Sequence, residues 1–127
     1  MRGYNHFKVE RDDQAAPGVL VYRIKGLLTN APETYEFLEE LRRRLREESA
    51  RAVLNLEGVE RITSGGVGII AASYTSAVNA EGQLALAAVP KPVETILNIV
   101  HLLQVVPNYA TEAEAVAFVR ALPPPSA

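Results

Sequence analysis

Ala52-Val53-Leu54-Asn55-Leu56 is apolar except for one amide, and it shows no alternation of apolar with polar residues. A strand written this way has no face to give to water, so it must be covered on both sides. That requirement makes the segment the candidate centre of a sheet enclosed by helices. Its neighbours in sequence fit. Phe7 to Glu10 alternates apolar and polar, and Val19 to Ile24 is β-branched after Pro17-Gly18, which predicts a pair of hairpin strands. Leu84 to Val89 predicts another buried strand, and Val105-Val106 a brief extended piece. Between them lie helical patterns. Asn30-Ala31-Pro32-Glu33 offers a cap residue, a first-turn proline and a glutamate that can reach back. The helix to about Glu48 places Phe37, Leu38, Leu41 and Leu45 on one face, with Glu39 to Arg43 and Glu40 to Arg44 as solvated pairs on the other. Lys91 to about Val100 predicts a helix reached through prolines. Thr111-Glu112-Ala113-Glu114 repeats the capping-box pattern before a last helix carrying Ala115, Val116, Val119 and Leu122.

Two strands followed by alternating helices and strands predict an α/β domain with a mixed sheet of four to five strands and about four helices, its later strands parallel. The whole of 1–122 reads as one domain, and Pro123-Pro124-Pro125 opens a proline-rich tail over 123–127. A chain of 127 residues, 48% hydrophobic and 22% charged, is long enough to bury such a core without staples.

Several chemistries are excluded by what is missing. There are no cysteines, so disulfides, thiolate nucleophiles and thiolate metal sites are not expected, and with no apolar signal segment near Met1 this suits the cytoplasm. A formal net charge of −2 offers no general attraction for nucleic acid or anionic lipid. His6 lies near the terminus and His101 in a leucine- and valine-rich stretch, where a partly buried structural role is expected; neither has partners at ligand spacing. Neither metal nor cofactor is expected, and the chain reads as a non-enzyme.

The stretch Ile62-Thr63-Ser64-Gly65-Gly66-Val67-Gly68 holds hydroxyls and glycines just before a helical run. A serine nucleophile would need glycine where Ile62 stands. Gly66 to Ala71 matches a dinucleotide fingerprint in form, but Glu57 to Arg61 separate it from the preceding strand and the next strand ends without an acid. The glycines read instead as a tight helix start with Ser64 as N-cap. No charged residue occurs from Ile62 to Ala80, although the outer face of a surface helix normally carries charge. The glycines and hydroxyls of this stretch also argue against membrane insertion. With Val67, Ile70, Ala71, Tyr74 and Val78 placed inward, Gly65, Ile69, Ala72 and Ser76 point outward. This small, smooth strip is expected to bind a protein or a second copy of the chain.

From Ala52 to Val116 the chain, "AVLNLEGVERITSGGVGIIAASYTSAVNAEGQLALAAVPKPVETILNIVHLLQVVPNYATEAEAV", resembles the STAS domain, the module of bacterial anti-sigma factor antagonists and of sulfate-transporter tails. The resemblance implies the STAS fold, with helices mainly on one side of the sheet. It further implies partner switching, in which the domain binds an anti-sigma factor that is also a serine kinase, or scaffold subunits, and phosphorylation of a motif serine breaks the complex. The family motif Asp-Ser-Ser-Gly-Leu-Gly maps onto Thr63-Ser64-Gly65-Gly66-Val67-Gly68. Gly65 then stands at the phosphoacceptor position and cannot accept phosphate; Ser64 and Thr63 are the alternative hydroxyls. Acids common after the preceding strands appear here as Thr29 and Asn55. The expected partner surface is Thr63, Ser64, Gly65, Gly66, Ile69, Ala72 and Ser76. An accessory subunit of a lipid-type transporter and a small-ligand or nucleotide module are the alternative roles.

Overall fold

The computed structural model describes residues 6–121. Five strands, β1 (Lys8–Arg11), β2 (Leu20–Leu28), β3 (Arg51–Ile62), β4 (Gln83–Ala87) and β5 (Asn108–Tyr109), lie side by side in chain order. β1 is antiparallel to β2, and the remaining pairs are parallel. The four helices are α1 (Pro32–Glu47), α2 (Ser64–Asn79), α3 (Lys91–Ile99) and α4 (Glu112–Ala121). The expected α/β architecture, the hairpin and the central place of the Ala52–Leu56 segment are all present. Leu122 and the proline-rich tail at 123–127 lie outside the described residues.

Alternation along the strands sorts the core into two layers. Tyr22 and Ile24 of β2 and Leu54 and Leu56 of β3 join Phe37, Leu41, Ile70 and Leu97 under α1, α2 and α3. Val21, Val53, Ala85 and Ala87 turn to the other face, where α4 alone covers them with Ala115 and Val119. Three helices on one face and one on the other match the expected placement. Small side chains on the α4 side let that short helix lie close.

Several boundaries differ from the sequence reading, each for a physical reason. β3 continues past Leu56 to Ile62. β4 pairs only with Arg51 to Asn55, so beyond that point β3 keeps β2 alone as a neighbour. Its switch to Glu57, Glu60 and Arg61 marks the loss of one neighbour, not the end of the strand. Val105-Val106 is not a strand: Leu102–Gln104 forms a 3₁₀ turn, and pairing begins where the Pro107 carbonyl accepts from the Leu86 amide at 2.8 Å. α1 is not capped by Asn30. Its N-cap is Ala31, and Thr29 Oγ1 accepts the Ala31 amide at 3.1 Å, while Pro32 has no amide to satisfy. The capping box at α4 is formed as expected, since Thr111 Oγ1 accepts from the Glu114 amide and Glu114 Oε1 from the Thr111 amide, both at 3.1 Å.

Neither charge pair expected on the outer face of α1 forms: Glu39 pairs with Arg42 and Arg43 with Glu47 and Glu48 along the helix, while Glu40 and Arg44 turn to tertiary partners. Tyr22, fully buried, donates its hydroxyl to Glu40 at 2.9 Å and accepts from Arg44 Nη1 at 3.0 Å. Glu40 also pairs with Arg11, and Arg44 with Glu48 and Asp13 at 3.0 and 2.7 Å. Burial pushes the Tyr22 hydroxyl up to about 12, so it stays a neutral donor between the two charges. Arg44 is a buried part of the α1 contact rather than a member of a solvated face.

Candidate functional site

The turn between β3 and α2 is fastened to the end of β2. The Thr63 amide donates to the Leu28 carbonyl at 3.1 Å, and Thr63 Oγ1 accepts the Gly66 amide at 3.2 Å. Thr63, not Ser64, is therefore the N-cap; Ser64 is the first helical residue and is exposed. Thr63→Ala is expected to lower stability by about 1 kcal/mol, whereas Ser64→Ala should change it by a few tenths at most, as read by urea denaturation.

The three glycines of the turn differ in what surrounds them. A Cβ on Gly66 would lie 2.1 Å from the Leu28 carbonyl oxygen, backbone against backbone. On Gly65 it would meet the side chain of Asn30 at 2.6 Å, and on Gly68 it would meet nothing within 4 Å. The room above Gly66 is thus taken by the backbone of β2, so close packing alone accounts for a glycine there.

Close packing of Gly66 also sets the rotation of α2. Its buried residues are Gly66, Ile69, Ile70, Ser73 and Ala77. Ile69, expected to point outward, is only 3% exposed, and Val78, expected inward, is 47% exposed. The inward stripe is turned by roughly one residue, about 100°, from the one the large side chains suggested. Two hydroxyls made that stripe hard to recognise. Ser73 is buried because its hydroxyl donates to the Ile69 carbonyl at 2.8 Å. Ser76 is half-buried toward α1: its hydroxyl donates to the Ala72 carbonyl at 2.7 Å and accepts from Arg42 Nε at 3.1 Å. Of the expected surface, Thr63 and Ser64 are exposed, Gly65, Ala72 and Ser76 are half-buried, and Gly66 and Ile69 belong to the core. The exposed residues of α2 are Ser64, Gly68, Thr75, Val78 and Asn79, and none carries a charge.

Behind the sheet, Arg23 joins the loop after β1 to the start of α4. Its Nη1 donates to Asp12 at 3.0 Å, and its Nε and Nη2 hold Glu112 at 2.9 and 2.8 Å. Asn55 completes the cluster: Nδ2 donates to Glu112 Oε1 at 3.0 Å, and Oδ1 accepts the Glu57 amide at 2.9 Å. The hydrogen bond from Arg23 lowers the Glu112 carboxyl further below its ordinary value than burial raises it.

His101 is exposed and left-handed, with φ of 62°, ending α3 rather than filling a core. Close to it in sequence are four exposed large hydrophobic residues that the sequence reading missed: Ile99 at 68%, Val105 at 60%, Val100 at 50% and Ile96 at 37%. The available signal was the absence of charge from Thr95 to Thr111, the same signal that singled out α2. No group of three or more histidine, aspartate or glutamate residues placed to hold a metal occurs among the described residues.

A sequence profile described as the STAS domain matches residues 10–115. No curated protein sequence matches the chain. Solved structures share its fold. A Thermotoga maritima protein assigned as an anti-sigma factor antagonist is 25% identical, with a TM-score of 0.70 over 90% of this chain and 94% of that one. The Bacillus cell fate determinant SpoIIAA in its phosphorylated form is 19% identical, with a TM-score of 0.67 over 91% and 100%. A sulfate transporter family protein from Wolinella succinogenes is 18% identical, with a TM-score of 0.67 over 84% and 89%.

Proposed function

The chain belongs to the STAS-domain family, and we propose that it is a non-catalytic module of the anti-sigma factor antagonist kind, regulating transcription in the bacterial cytoplasm by partner switching. Its partner is a protein, either an anti-sigma factor with serine-kinase character or scaffold subunits of a larger assembly. The contact is the outer side of α2, beginning at Thr63 and Ser64. The observation that carries this reading is the exposed face of α2, which bears no charge although it faces solvent, as the centres of protein interfaces do. Position 65 has no hydroxyl, so the usual charge switch is absent there and the complex is constitutive. Ser64 is accessible but carries no regulatory phosphate in this reading.

Gly68→Arg tests the surface cleanly, because the site is open and the substitution leaves the core untouched. Ile69 does not serve, since a charge there would unfold the domain. The wild-type chain is used to capture its partner from native cells, the partner is identified by mass spectrometry, and the purified pair is titrated. Gly68→Arg is expected to weaken binding by about a hundredfold, the loss expected from truncating an interface hot spot. Equal affinity would overturn the surface assignment. Stoichiometric phosphate on Ser64, with loss of the partner, would overturn the constitutive part.

The likeness to a sulfate transporter family protein favours a second reading, an accessory subunit of a membrane transporter. No helix among the described residues is long and apolar enough to cross a membrane. Recovery of a transporter subunit in the same capture would select this reading over the first.

A further inference from the structure

Gly65 is a glycine because of its neighbour, not because of its backbone, which does not lie at positive φ. A Cβ there would stand 2.6 Å from Asn30 Cγ, 2.7 Å from Asn30 Cβ and 2.7 Å from Asn30 Oδ1. Rotating the Asn30 side chain would move Cγ and Oδ1 but leave its Cβ in place, so the space above position 65 is held by residue 30 in any rotamer. Asn30 is itself exposed, and its carboxamide has no hydrogen-bond partner among the described residues. It also does not do the capping work that its sequence context suggests, because Ala31 stands at the N-cap and the helix has no side-chain cap hydrogen bond.

We propose that Asn30 is a residue of the partner-binding surface: it carries an uncharged carboxamide from the β2–α1 turn into the space that a side chain at position 65 would fill. The proposal rests on the reading that the start of α2 is the contact. A carboxamide offers two donors and an acceptor, none of them committed within the domain, so a partner can satisfy them on closing over the turn. Because the side chain there comes from residue 30, placing a hydroxyl or a charge on residue 65 requires residue 30 to change as well. The two positions form one unit, set to a neutral state.

Two measurements test this. In urea denaturation, Gly65→Ala is expected to lower the midpoint, and Asn30→Gly/Gly65→Ala to recover most of that loss relative to Asn30→Gly alone. An equal loss in both backgrounds would overturn the occupancy of the site. In titrations of the captured partner, Asn30→Asp is expected to weaken binding by about tenfold or more, with circular dichroism unchanged, because it presents an unpaired charge to a neutral contact. If Gly68→Arg abolishes binding while Asn30→Asp leaves it intact, the surface stands and the role of Asn30 falls. If neither matters, or the wild-type chain recovers no partner, both readings fall together.

Discussion

Gly66→Ala is expected to be the most damaging single-methyl change in the turn, lowering stability by about 3 kcal/mol or more and removing partner binding with it. The new Cβ would stand 2.1 Å from the Leu28 carbonyl oxygen and 2.7 Å from its carbon, and 2.9 Å from Ile62 Cγ1. Neither backbone can yield alone, because the same Leu28 carbonyl accepts the Thr63 amide that fixes the turn. Moving α2 outward to make room would also uncover Ile69 and Ile70, which are 3% and 1% exposed. Gly68→Ala, two residues along, should do the opposite. Its Cβ meets open space, and replacing a helix-interior glycine by alanine is worth about 0.5 to 1 kcal/mol. Urea midpoints of the two variants, measured together, check the ordering. Equal effects at both positions would mean that helix propensity, rather than contact with β2, governs this turn.

The architecture was legible because it depends on patterns that survive small errors. The apolar run of β3, interrupted only by Asn55, the alternation of β1 and the capping box at Thr111 each depend on neighbouring residues in sequence, and each holds in the structure. What could not be read were features that depend on a second segment. The rotation of α2 is set by contact between Gly66 and Leu28, a pair brought together only by the sheet. Ranking residues by size placed Val78 inside and Ile69 outside. The true inward stripe includes a glycine and a serine, whose burial a helical pattern does not announce. Likewise Glu40 and Arg44 are spaced for a helix-surface pair, but each finds Tyr22 across the core layer instead. The sequence therefore singles out the start of α2 but gives its rotation wrongly, and it assigns Asn30, far away in sequence, to capping.

Asn55 shows the same dependence and carries the second large effect. The position was marked in the sequence as an amide where related sequences commonly place an acid, and the structure supplies a reason for the amide. Asn55 is 9% exposed and donates Nδ2 to Glu112 Oε1 at 3.0 Å. Asn55→Asp keeps the acceptor that serves the Glu57 amide and replaces only the donor, so it sets a second carboxylate against Glu112 at hydrogen-bond distance. Arg23 already gives its Nε and Nη2 to Glu112 and its Nη1 to Asp12. The variant is expected to lose about 2 to 3 kcal/mol at pH 7, through a lost hydrogen bond and like-charge repulsion, and to loosen α4 first. The pH dependence separates this from simple misfit. In the wild type the Glu112 carboxyl is held below its ordinary value, so the folded state binds fewer protons than the unfolded one. Its stabilisation is full above the unfolded value and fades as pH falls through the lowered folded one. In the variant one of the two carboxyls is raised instead, the folded state binds the extra proton, and the penalty grows as pH rises through that value. The gap between the two proteins should therefore narrow from pH 7 toward pH 4. Adding Glu112→Gln to Asn55→Asp should close most of it at pH 7, because the new amide can donate where Asn55 did. A gap of constant size across that range, or one unrelieved by Glu112→Gln, would show that position 55 is constrained by shape rather than by charge.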